Sequence, residues 1–87
     1  MVTGAEPLPA RVRLYSRAAC HLCDQARSVV AGVCGGLDVG WDEQDIDQDP
    51  GLRARFGDYV PVVFVDGRQH DYWRVDPQRL AEALRVR

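Results

Sequence analysis

The dipeptide Asp66-Gly67 constrains what this chain can fold into more than any other feature of it. It follows the run Pro61-Val62-Val63-Phe64-Val65, whose β-branched and aromatic side chains suit a strand. Asp-Gly accepts the positive φ angles of a tight two-residue turn, so the chain doubles back as a hairpin. The return strand, Arg68 to Trp73, is more polar and belongs at a sheet edge.

The other elements follow from periodicity and caps. Arg11-Val12-Arg13-Leu14-Tyr15-Ser16 alternates polar and apolar residues, which predicts a first strand. A helix is expected from about Cys20, with Leu22, Ala26, Val29, Val30, Val33 and Leu37 on one stripe. Gly35-Gly36 suits its end, since Gly tolerates a left-handed cap. Val39 to Ile46 is a second strand with weaker alternation. Asp49-Pro50 and Asp76-Pro77 each read as an N-cap followed by Pro at the first helical position. The first of these helices should end near Gly57, and the second buries Leu80, Ala81 and Leu84. The order is β-α-β-α-β-β-α, an α/β arrangement. Glu6-Pro7-Leu8-Pro9 makes residues 1–10 a flexible lead-in to a single domain at 11–87.

Bulk properties narrow the partners. A chain of 87 residues, 46% of them hydrophobic, can build one modest core. The net charge is −2, and all eleven basic residues are Arg. Nothing in that balance points to nucleic acid or an acidic membrane surface. No segment approaches the roughly 18–20 apolar residues that span a bilayer. The first ten residues lack a signal peptide's basic start and apolar run, so a cytoplasmic location is expected. In that reducing compartment three cysteines suggest catalysis or metal binding before a structural disulfide framework.

Cys20 and Cys23 fall where a strand gives way to a helix. Free backbone N–H groups and the positive end of the helix dipole favour a thiolate there. The second cysteine returns after one helical turn, within reach of the first. One sulfur attacks and the other resolves. The competing reading is half of a zinc site, which needs four ligands; the candidates left are Cys34, His21 and His70. On an unbroken helix Cys34 lies about 16 Å along the axis from Cys23, too far for a disulfide or a shared metal. Cys34 reads as a small buried hydrophobe. His21 either stabilises the thiolate when protonated or is a solvated residue at the helix start, and both readings stay open.

Three stretches resemble the glutaredoxin branch of the thioredoxin superfamily, and a bacterial glutaredoxin-like group in particular. They are Leu14-Tyr15-Ser16-Arg17-Ala18-Ala19-Cys20-His21-Leu22-Cys23-Asp24, Asp45-Ile46-Asp47-Gln48-Asp49-Pro50, and Tyr59-Val60-Pro61-Val62-Val63-Phe64-Val65-Asp66-Gly67. They occur in family order and spacing, so the likeness spans nearly all of residues 11–85. It implies a thioredoxin-like fold, with a four-stranded mixed sheet flanked by three helices. It also implies that Cys20 attacks, that Cys23 resolves, and that Pro61 is a cis-proline facing them. The backbone of Val60 would then pair with the sulfur-bearing substrate. Arg17 stands where many glutaredoxins carry a Lys near a substrate carboxylate. Arg17, His21, Val60 and Pro61 are therefore the expected substrate-binding residues.

Two departures qualify the resemblance. His-Leu separates the cysteines where dithiol glutaredoxins commonly have Pro-Tyr. The family's Gly-Gly after the last strand, which receives the γ-glutamyl end of glutathione, aligns with Asp71-Tyr72. Dithiol chemistry survives these changes; glutathione as the partner does not follow. The expectation is a monomeric thiol–disulfide oxidoreductase needing no metal or organic cofactor. It would act on a disulfide-containing protein or a low-molecular-weight thiol and be recharged by a reductant the residues do not specify. The alternatives are a thioredoxin-fold binding module without redox turnover, for which Asp71, Tyr72, Trp73 and Arg74 would serve as a surface, and an iron–sulfur carrier.

Overall fold

A computed structural model of the chain describes residues 10–85. The sequence expectations for residues 1–9 and 86–87 lie outside the described residues. Ala10, assigned above to the lead-in, is instead the first residue of strand β1 (Ala10–Ser16). Then come α1 (His21–Leu37), β2 (Gly40–Asp45), a 3₁₀ turn (Ile46–Gln48) and α2 (Pro50–Phe56). The hairpin β3 (Val62–Val65) and β4 (Arg68–Tyr72) leads to α3 (Pro77–Arg85). The sheet order is β2-β1-β3-β4, with β1 parallel to β2 and antiparallel to β3. This is the expected mixed four-stranded sheet with three helices, and β4 is the expected edge.

Period-two alternation splits the sheet between two cores. Val12, Leu14, Val63 and Val65 face one side and are covered by Ala26, Val30 and Cys34 of α1 and by Leu80 and Leu84 of α3. Tyr15, Val62 and Phe64 face the other side, where Phe56 of α2 and Ile46 meet them. Tyr15 stacks on Phe56 there and Phe64 meets both edge-on, with ring centroids 4.9–5.8 Å apart. Asp66 and Gly67 adopt φ values of 52° and 82°, as a primed turn requires. The Arg11 guanidinium grips the Asp66 carboxylate and donates to the Leu84 carbonyl, joining this turn to the end of α3.

The long helix departs from expectation at its end. It runs through Gly35 and Gly36 and stops at Leu37, and Asp38 takes the left-handed conformation at φ 57°. The Val39 N–H donates to the Cys34 carbonyl at 2.9 Å and the Asp38 N–H to the Gly35 carbonyl at 3.5 Å, the two bonds of a Schellman cap. Both glycines are solvent-exposed, whereas Cys34 is fully buried and Leu37 packs on the core. Packing of Cys34 and Leu37 carries the helix past the point where propensity alone would end it.

A polar tie fixes the other end of α1. Ser16, only 3% exposed, donates its hydroxyl to Glu43 Oε2 at 2.6 Å. Arg27 of α1 donates to both Glu43 oxygens at 2.8 and 2.7 Å, and to Asp24 at 2.8 Å. The first turns of α1 are thereby locked to the ends of β1 and β2. Hydrogen bonding from Arg27, reinforced by Ser16, holds the Glu43 carboxyl below its ordinary value against a smaller opposing effect of burial.

Because folding lowers the Glu43 pKa, ionisation of this carboxylate favours the folded state. That stability is fully present above the unfolded value of about 4.3 and is lost as pH falls through the lower folded value. Glu43→Gln should therefore unfold in urea with about 1 kcal/mol less stability than wild type at neutral pH. The deficit should narrow as pH falls below the unfolded value and close once pH lies under the lowered folded value, and a deficit constant through acid pH would assign the loss to packing. Cys34, whose thiol burial pushes up, should resist iodoacetamide in the folded protein and react only as urea unfolds it. Labelling of Cys34 at a rate independent of urea would contradict its place in the seam between α1 and the sheet.

Candidate redox site

The register of the sheet gathers the predicted site residues at one end. Tyr15 pairs with Val62, and Val62 pairs with Tyr72. One step further, β1 enters the loop leading to Cys20, β3 begins after Pro61, and β4 leaves into Trp73. The N-terminus of α1 opens at the same end, since only residues 17–20 separate it from β1.

Cys20 is the N-cap of α1, in extended backbone conformation. Its sulfur accepts the Cys23 N–H at 3.1 Å, so an orphan donor of the helix start points at the sulfur. The two cysteines form a disulfide with Cα atoms 5.1 Å apart, inside the range such bonds require. Cys20 is half-buried and Cys23 is fully buried. Cys20 is therefore the more accessible of the pair. Cys34 is a free, buried thiol eleven residues along the same unbroken helix, as the distance argument expects.

His21 is the first residue of α1 and is exposed; its Nε2 lies 3.4 Å from the Gln25 side-chain nitrogen. The Val60-Pro61 bond is cis, as the resemblance implies, and Pro61 is fully buried. The Val60 N–H donates to the Phe56 carbonyl at 3.2 Å. Of the two backbone groups expected to meet a substrate, the carbonyl is thus the one without an internal bond among the described residues. The Arg17 fork is already filled. Its Nε and Nη2 donate to the Asp47 carboxylate at 3.1 and 2.9 Å, so a substrate carboxylate would have to compete with Asp47.

The position aligned with the family's Gly-Gly differs from the simple picture of a charge facing the ligand. The Asp71 side chain is only 12% exposed. It accepts the Tyr72 and Asp76 N–H groups at 3.0 and 3.3 Å and lies 3.5 Å from the Arg79 guanidinium. Its charge is spent on the loop into α3, whereas Tyr72 stands exposed. Leu22, from between the cysteines, lines an open groove of about 590 Å³ with Asp71, Tyr72, Trp73, Arg74 and Arg79. Sequence reasoning had not included Leu22 or Arg79 in this groove, nor Tyr59, which meets Tyr72 edge-on with ring centroids 6.0 Å apart. Tyr59 stands two residues before the cis-proline, and that adjacency was the available signal.

The comparisons with known proteins agree with this geometry. The glutaredoxin-like domain family (DUF836) matches residues 11–85. Uncharacterized proteins of Mycobacterium tuberculosis and Mycobacterium bovis are 44% identical, with 80% of this chain and 77% of theirs covered. The X-ray structure of protein XcR50 from X. campestris is similar with a TM-score of 0.72 and 35% identity, covering 87% of this chain and 97% of that one. Glutaredoxin C1 from a poplar, at 17% identity, shares the fold with a TM-score of 0.54 over 87% of this chain and 75% of its own. With its cysteine pair at the head of α1 and its cis-proline at the head of β3, the chain belongs to the glutaredoxin-like domain family (DUF836), on a thioredoxin-like fold.

Proposed function

We propose that the protein is a thiol–disulfide oxidoreductase in which Cys20 is the nucleophile and Cys23 the resolving thiol. The observation that carries this reading is the Cys23 N–H aimed at the Cys20 sulfur at the positive end of a 17-residue helix. In the reduced protein the same donor would stabilise a thiolate on Cys20 and lower its pKa. Cys23, buried beneath it, would stay protonated until the mixed disulfide forms.

The reaction runs in two displacements. The Cys20 thiolate attacks one sulfur of a substrate disulfide; an S–S bond forms to Cys20, the substrate S–S bond breaks, and one thiolate leaves. Cys23 then loses its proton and attacks the Cys20 sulfur, closing the protein disulfide and releasing the second thiolate. Two electrons pass from the dithiol to the substrate. A thiol reductant of matching potential returns them by the reverse sequence. The Val60 carbonyl beside Pro61 is suited to accept a backbone N–H of the substrate, and His21 stands exposed at the rim. The expected setting is a reducing cytoplasm, and among the described residues no helix is long and apolar enough to cross a membrane. Disulfide proteins and low-molecular-weight disulfides both fit this chemistry.

The reduced protein should consume a neutral disulfide such as hydroxyethyl disulfide in a single turnover, losing two thiols that peptide mapping places at Cys20 and Cys23. Cys20→Ser should slow this by more than about a hundredfold. Cys23→Ser should stop at a mixed disulfide on Cys20. Undiminished reaction in Cys20→Ser would refute the assignment of the nucleophile. In a separate measurement, limiting iodoacetamide at about pH 6 should label Cys20 ahead of Cys23. Equal labelling of the pair would remove the asymmetry on which the two roles rest.

A further inference from the structure

Among the described residues the large hydrophobic side chains that stand exposed are Tyr59, Tyr72 and Trp73, at 48%, 43% and 49%. They form one ridge. Tyr72 meets Tyr59 edge-on with centroids 6.0 Å apart, and Trp73 with centroids 5.0 Å apart. Scattered exposed aromatics need no explanation, but three joined in a row through Tyr72 beside the cysteine pair do.

The ridge is held in place. Trp73 adopts φ 60°, a conformation a bulky residue rarely takes and one that clusters at functional sites. Its backbone N–H donates to the Pro61 carbonyl at 2.8 Å, and its indole N–H donates to the Asp58 carbonyl at 3.0 Å. The indole is thus pinned to the cis-proline loop with its face open to solvent. Rigid aromatic rings with few rotatable bonds are what protein interfaces use as anchors.

Charge distinguishes this face from the rest of the chain. The chain carries −2, yet the groove beside the ridge holds two guanidiniums, Arg74 and Arg79, against the single Asp71 carboxylate. Asp71 is turned inward and shared among two backbone N–H groups and the Arg79 guanidinium at 3.5 Å, which leaves Arg74 as the uncompensated charge. Arg74 is exposed and has no ion-pair partner among the described residues. The nearest acid on the ridge side is Asp58, whose carbonyl holds the Trp73 indole and whose carboxylate lies within Coulombic reach of Arg17. On the far side of Tyr72 a second hollow of about 280 Å³ is lined by Arg55 and Tyr59. An occupant touching both hollows must be long, and it is favoured if it is negative.

We infer that the Tyr59–Tyr72–Trp73 ridge with Arg74 and Arg79 docks an acidic, extended segment of a protein partner and delivers that partner's disulfide to Cys20. The inference rests on the dithiol reading above and narrows it to a substrate class. The aromatic ridge supplies apolar contact, and the arginines supply attraction and select against basic segments. Leu22, between the two cysteines, forms the shared wall of groove and redox site.

The test uses the reduced full chain and short cysteine peptides carrying a thiopyridyl leaving group, with Asp and Glu, or Lys and Arg, flanking the cysteine. At low ionic strength the acidic peptide should react about tenfold faster than the basic one, and 0.5 M NaCl should compress the ratio toward unity. Arg74→Glu should invert the order while leaving the rate with neutral hydroxyethyl disulfide unchanged. Trp73→Ala should slow both peptides by a larger factor than it slows the neutral disulfide. Equal peptide rates, or an order that survives Arg74→Glu, would overturn the docking inference while the dithiol reading stands. Oxidised glutathione reacting as fast as the acidic peptide would overturn it too, since the groove would then serve a small anion. If the neutral disulfide is inert, the dithiol reading fails. Fluorescence polarisation with the peptides' cysteine replaced by serine then decides docking: acid-selective binding lost in Arg74→Glu supports it, and no selectivity rejects it.

Discussion

The hydrogen bond from the Cys23 N–H to the Cys20 sulfur is a local contact, but it exists because α1 is aimed by the whole domain. The seam of Cys23, Ala26, Val30 and Cys34 lies against the sheet along the length of that helix. Full burial of each such apolar side chain contributes roughly 1–3 kcal/mol, far more than the dipole or a cap can supply. The seam sets the rotation of the helix, and with it which cysteine faces inward. Rotation by one residue, about 100°, would present Cys23 to solvent and bury Cys20. The asymmetry of the pair is therefore a packing property before it is an electrostatic one.

Translation along the axis is set by polar groups. Apolar packing tolerates small slides, because hydrophobic contact is not directional. The Ser16–Glu43–Arg27 tie is directional, and it acts within two turns of Cys20. At the far end, the Schellman bonds at Cys34 and Gly35 stop the helix where β2 must begin. A site that needs sub-ångström placement of one N–H thus draws on a core for orientation and on charged hydrogen bonds for position.

Much of this was legible beforehand because the signals were short-range. Asp66-Gly67, Asp49-Pro50 and Asp76-Pro77 act within four residues of themselves, and each produced the expected turn or cap. The cysteine pair depends on one strand-to-helix junction. What could not be read depended on tertiary contact. Gly35-Gly36 carries a stop signal that the burial of Cys34 and Leu37 overrides. Arg17 was expected to face a substrate, but its fork meets Asp47, thirty residues away. Glu43 and Arg27 are unremarkable surface residues until the fold brings them to Ser16. The Asp71 carboxylate finds its partners only once α3 is docked.

That last case bears on how recognition differs from the wider glutaredoxin pattern. Two glycines at the end of a last strand leave bare backbone that a small ligand can approach. Here Asp71 instead ties the strand end to the start of α3 through the Asp76 N–H and Arg79. With that loop drawn inward, the next residues must turn outward, and Trp73 makes the turn at positive φ with its ring on the surface. The substitution that closes the backbone therefore also raises the aromatic ridge. On the proposed docking, a strand end suited to enclosing a small peptide-like thiol becomes one suited to lying against a larger body.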